Sequence, residues 1–101
     1  MKTITESELT KKLGAFVAVE NLPSRNGRGS APNQFRIRFE NGEVFQSYKA
    51  LVGAKIGGQL YLSDYYHDYS NTTSSHCGWW CGKRCQERRA GIKDESIIVI
   101  E

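Results

Sequence analysis

The segment Phe35-Arg-Ile-Arg-Phe39-Glu-Asn-Gly-Glu43-Val-Phe-Gln-Ser-Tyr48 decides how this chain folds. Its first five residues alternate apolar and basic, the two-residue period of a strand with one face on a core. Phe35, Ile37 and Phe39 are therefore expected to face inward, and Arg36 and Arg38 outward. Glu40-Asn-Gly-Glu43 reads as a turn, because Asn-Gly accepts the positive φ angles of a tight hairpin. Residues 44–48 then return as the partner strand.

Outward from this hairpin the pattern continues. Residues 50–56 form another strand, Gly57-Gly58 another turn, and Gln59-Leu-Tyr-Leu-Ser63 pairs back, giving an antiparallel meander. Upstream, residues 15–20 have high β propensity. Residues 5–13 suit a short helix: Thr5 can cap it, acids fill its first turn, lysines its last, and Gly14 stops it. Leu9 and Leu13 give it one apolar edge.

Residues 21–34 hold both prolines and two glycines without apolar periodicity, so a long flexible loop is expected there. Arg25 and Arg28 make that loop a candidate for binding. Downstream, one long helix is expected over residues 72–90, with Thr72, Thr73, Ser74 and Ser75 as candidate caps. Ser96-Ile-Ile-Val-Ile100 is continuously apolar and β-branched, as in a buried central strand. The expected fold is α+β, a single domain over residues 1–101. An antiparallel β-meander carries one long helix in its C-terminal half and a short N-terminal helix.

Composition sets outer bounds. A chain of 101 residues, 39% hydrophobic and 25% charged, is ordinary for a soluble single domain. No run approaches the ~18 apolar residues of a membrane span, and the Met-Lys-Thr-Ile-Thr start reads as a cytoplasmic N-terminus. The net charge of +3 is mild, but Lys83, Arg84, Arg88, Arg89 and Lys93 crowd one segment. The three cysteines fit no secreted disulfide framework and point to a reducing compartment.

Cys77, Cys81 and Cys85 recur every four residues, beside Trp79, Trp80 and His76. On one straight helix Cys77 and Cys85 stand roughly 12 Å apart along the axis. A zinc ion with thiolate bonds of ~2.3 Å cannot gather all three, although a two-cysteine clip completed by His67 stays open. Trp80-Cys-Gly-Lys-Arg-Cys85 has one residue too many between its thiols for a thioredoxin-type motif. Cys81 beside Lys83 and Arg84 can still have a lowered pKa. The expected role of Cys77 and Cys81 is that of small buried hydrophobes, and no cofactor is expected.

His67, Asp68 and Asp64 share a stretch with Tyr61, Tyr65, Tyr66 and Tyr69, four tyrosines in nine residues. Aromatic-rich loops favour interfaces. The alternative is that the tyrosines wedge the meander against the helix, Tyr69 packing inward while Tyr65 and Tyr66 diverge. Gly27-x-Gly29 lacks the lysine and the helix that a phosphate loop requires.

Phe45-Gln-Ser-Tyr48, Gly58-Gln-Leu-Tyr-Leu62, Asp68-Tyr-Ser-Asn-Thr-Thr-Ser74 and Trp80-Cys-Gly82 together resemble a small domain family of unknown function. That family recurs in phage and bacterial mobile-element proteins, and the likeness covers about residues 43 to 100. In it an aliphatic residue stands at the position of Cys81. The resemblance implies a phage-like origin and carries no known activity.

The expected function is therefore non-enzymatic: a phage or mobile-element accessory protein in a bacterial cytoplasm that binds a host protein or protein–nucleic-acid complex. Inhibition of a host defence complex, in the manner of anti-CRISPR proteins, is one form of it. The expected binding surface joins Arg25, Arg28, Tyr65, Tyr66, Lys83, Arg84, Arg88 and Arg89. Reversing charge at Arg84 and Arg88 is expected to weaken capture without lowering the melting temperature. The alternatives are a nucleic-acid module using Arg36, Arg38 and the tyrosines, or a zinc- or thiol-dependent domain.

Overall fold

In a computed structural model describing residues 1–24 and 26–101, the Phe35–Phe39 alternation lies within a longer strand. The elements run β1 Thr3–Ile4, α1 Glu6–Leu13, β2 Phe16–Pro23, β3 Ser30–Phe39, β4 Gly42–Ser47 and β5 Ala50–Ile56. They continue with β6 Gln59–Leu62, α2 Asn71–Cys81, α3 Cys85–Lys93 and β7 Ile97–Ile100. The strands form one sheet ordered β1-β7-β6-β5-β4-β3-β2.

Strands β2 to β6 pair antiparallel in chain order, so the meander exists. The whole sheet, however, is mixed: β7 runs parallel to β6 and β1 parallel to β7. This corrects the expected antiparallel sheet. After β6 the chain crosses over through α2 and α3 and re-enters in the same direction, which makes the returning strand parallel. Hydrophobic period marks β7 as a buried strand but says nothing of its direction.

The single helix expected over 72–90 is also corrected, since it is two helices. Gly82 adopts the left-handed conformation at φ 73°, and its amide donates to the Gly78 carbonyl at 2.8 Å. That closure ends α2 in the usual glycine-assisted way, and Arg84 is extended before α3 starts. Helix α2 is capped by Ser70, whose Oγ accepts from the Thr73 amide at 3.1 Å, two residues before the run of hydroxyls expected to cap it.

The expected loop at 21–34 is largely a hairpin. Leu22 and Ala31 are buried, and the connection shrinks to the residues between Pro23 and Ser30. Pairing steps from Asn21↔Phe35 to Pro23↔Ser30, so the β2–β3 ladder is irregular where Pro32 sits. The prolines occupy the end of an edge strand and that break, places where a missing N–H costs little. Helix α1 matches its expectation: Thr5 and Glu8 form a reciprocal capping box, and Leu9 and Leu13 are buried.

Alternation along the strands sends side chains to two cores. Leu9 and Leu13 of α1 pack on Ile4, Val44, Ala54, Tyr61 and Ile100, with Ile37 and Phe39 alongside. On the opposite face Cys77 and Trp80 of α2 and Ile92 of α3 pack on Leu22, Phe45, Val52, Leu62, Ile97 and Val99. Cys77 is thus a core residue, as its apolar reading implied. Gly53 is required for this packing. A Cβ there would stand 2.9 Å from the Trp80 ring and 2.8 Å from Leu62. Among the described residues no helix is long and apolar enough to cross a membrane.

Candidate functional site

The tyrosine-bearing connection between β6 and α2 is held by short-range bonds. The Ser63 hydroxyl accepts from the Tyr66 amide at 3.0 Å, and the Ser63 carbonyl accepts from the His67 amide at 3.1 Å. Beneath it lies Arg88 of α3, 1% exposed. Its Nε donates to His67 Nδ1 at 3.0 Å, and Nη2 donates to the His67 carbonyl at 3.1 Å and Ser74 Oγ at 2.8 Å. Nη1 reaches the Lys83 carbonyl at 2.7 Å. One guanidinium therefore ties the loop, α2 and the α2–α3 junction together, which suits its fixed fork of donors.

This overturns Arg88 as a surface contact. Helical spacing alone put it among solvated charges, whereas the break at Gly82 rotates α3 and turns Arg88 inward. Arg89, beside it, is exposed and pairs with Asp68. Burial, the largest influence, pushes the His67 pKa down, with Asp68 opposing and Arg88 reinforcing.

The same break brings Cys85 to the loop, where its Sγ lies 3.6 Å from Asp68 Oδ2. His67, Asp68 and Cys85 offer ligand atoms within 4.8 Å of one another. Their bonding argues against a cation. Because Arg88 donates to Nδ1, neutral His67 carries its proton on Nε2, the nitrogen a metal would need. Arg88 and Arg89 also place two positive charges on this group. The cluster works as a brace.

With the loop fixed, its tyrosines point outward. Tyr65, Tyr66 and Tyr69 touch one another, with ring centroids 4.9 to 5.9 Å apart, yet are 65%, 37% and 62% exposed. The inward wedge expected of Tyr69 does not form. Tyr66 and Tyr69 form one wall of a cleft of about 310 Å³, and Tyr48, Lys49 and Ala50 line it opposite. Ser47 Oγ and Thr73 Oγ1, 3.0 Å apart, also line it.

Tyr48 was not anticipated as a site residue. It is 60% exposed and has φ 55°, a left-handed backbone that is unusual for a bulky side chain. Its amide donates to the Asn33 carbonyl at 2.6 Å, which fixes the turn against β3. The sequence signal available was a tyrosine at the point where the meander must reverse.

The expected binding residues do not share one surface. Arg28 is exposed in the β2–β3 turn, at the same end of the sheet as Tyr48 and the tyrosine loop. Arg25 lies outside the described residues. Lys83 and Arg84 are exposed beyond the far end of α2, where Lys83 lines a groove beside Gly57 and Gly58. The sheet arginines Arg36 and Arg38 converge on Glu20.

Residues 17–97 match a family of unknown function, DUF8033. The chain belongs to this family. The DUF8033 match contains the tyrosine loop, Tyr48, Arg88 and all three cysteines, while β1 and α1 precede it. Neither a curated protein nor a solved structure matches the chain.

Proposed function

We propose that the protein is a non-enzymatic binding module that captures a protein partner on its tyrosine face. One observation carries this reading: three exposed tyrosines pack against one another, edge-on or tilted, on a loop that a buried arginine braces. Tyrosines add large apolar area with few rotatable bonds, so a pre-organised cluster loses little entropy on binding. The cleft between Tyr48 and Tyr66 is of a size to take one anchoring side chain.

The most specific form of the reading is a phage or mobile-element accessory protein that inhibits a host defence complex. It rests on the resemblance of residues 43 to 100 to a domain of such elements. Nucleic-acid binding through the sheet draws less support, because Glu20 offsets Arg36 and Arg38.

The test compares capture from host lysate by the native protein and by Tyr65→Ala/Tyr69→Ala. The expected result is a protein, resistant to nuclease treatment, enriched by the native chain and lost with the variant at unchanged melting temperature. Identical capture by both proteins would remove the tyrosine face from consideration.

A further inference from the structure

The groove of about 710 Å³ at the other end of the sheet contains a thiol in a cationic setting. Cys81, the last residue of α2, lines it together with Arg38, Lys55 and Lys83, against one acid, Glu43. Lys55 sits over the helix end. Its Nζ donates to the Trp80 carbonyl, lies 4.6 Å from the Trp80 ring centroid and 3.6 Å from Glu43. Glu43 also accepts from Trp80 Nε1 at 3.0 Å, so its charge is engaged on two sides. Arg38 is likewise paired, with Glu20 at 2.9 Å, so among the described residues Lys83 is the lining cation without an ion-pair partner, and it favours an anionic visitor.

The three cysteines are placed unequally. Cys77 is fully buried among Phe45, Val52 and Trp80. Cys85 directs its thiol to the Asp68 carboxylate. Cys81 is half-buried and opens onto the groove, with the Cys77 thiol one helical turn behind it. The neighbouring Cys77 thiol, followed by Arg88 and Lys55, holds the Cys81 thiol below its ordinary pKa against the effect of burial. The hydrogen bond with Cys81, followed by burial, pushes the Cys77 thiol upward. The more exposed member of the pair ionises first.

A disulfide between Cys77 and Cys81 is a poor outcome for this pair. Helical neighbours four apart hold their Cβ atoms roughly 5–6 Å apart, whereas a disulfide needs about 3.8 Å. An external partner is required. We propose that Cys81 is a site of mixed-disulfide formation with a carboxylate-bearing low-molecular-weight thiol, an acid of which is received by Lys83. The Cys81 thiolate attacks one sulfur of the symmetrical disulfide of that thiol. A Cys81–S bond forms, the original S–S bond breaks, and the departing thiolate takes a proton from water. Cys81 is oxidised and one half of the reagent is reduced.

The probe is glutathione disulfide, with neutral hydroxyethyl disulfide as comparison. Peptide mapping of the unmutated protein is expected to place the adduct on Cys81, with Cys77 and Cys85 unmodified, so no variant need fold for the site to be located. Lys83→Glu, an exposed position, is expected to slow the glutathione reaction at least about threefold while changing the neutral reaction by less than about twofold. The adduct on Cys85, no adduct, or equal slowing of both reagents would overturn the proposal.

Discussion

Arg88→Met should unfold this protein more than any surface change, and its cost can be worked from four bonds. The substitution keeps most of the aliphatic stem and removes the donors to His67 Nδ1, the His67 carbonyl, Ser74 Oγ and the Lys83 carbonyl. Four orphaned acceptors, two buried on His67 and two part-buried on Ser74 and Lys83, at about 1–1.5 kcal/mol each give about 4–6 kcal/mol. Among the described residues no carboxylate pairs with Arg88, so its own desolvation is relieved and returns part of that, leaving about 3 kcal/mol. At roughly 4–8 °C per kcal/mol for a domain of this size, the melting temperature should fall by about 12–24 °C. Arg84→Glu is the control, because its side chain is 85% exposed and pairs only with Glu87. It should leave stability within about 0.5 kcal/mol. Thermal and urea unfolding followed by tryptophan fluorescence measure both. If Arg88→Met melts within about 5 °C of the native protein, a margin near 1 kcal/mol, the brace is not holding the loop. The earlier expectation that Arg84 and Arg88 could be reversed together at no stability cost fails on this burial.

Two further outcomes can be checked. Gly82→Ala places a Cβ at φ 73°, with open space around it, so only backbone strain is added; destabilisation of about 1 kcal/mol is expected in urea melts, and no change would mean that the helix break does not depend on glycine. The folded-state pKa of His67 is lowered by burial, so unfolding takes up a proton there; its contribution is fully present above the ordinary histidine value of 6.5 and is lost as pH falls from there through the lower folded value. Native protein should therefore lose melting temperature over that range while His67→Gln, which keeps an acceptor for Arg88, should lose less; parallel curves would show that His67 carries no such linkage.

Local rules made several elements legible. Alternation at 35–39 placed the central hairpin, since side-chain period is a property of neighbouring residues; the reason given for its turn is corrected, because neither Asn41 nor Gly42 has a positive φ, and glycine is needed at 42 because a Cβ would run into the Lys55 carbonyl. The helix at 6–13 followed from Thr5, Glu8 and Gly14 for the same reason. The tyrosine concentration marked a loop whose rings remain in water, and the apolar setting of Cys77 was anticipated from its spacing. Prolines misled at 21–34, because a composition that breaks a central strand is tolerated where the ladder is already irregular.

The direction of β7, the inward turn of Arg88 and the approach of Cys85 to Asp68 were not available from the chain. Each depends on the crossover through α2 and α3, and on the angle at which Gly82 redirects it. That angle is chosen by burial of Trp80, Cys77 and Ile92 against the sheet, a sum of contacts among residues distant in sequence. Sequence pattern alone therefore determined the strands within 35–62 and at 97–100, but not β1 or the far ends of β2 and β3. Tertiary packing decided which charges are buried, which tyrosines remain in water, and which cysteine meets a groove.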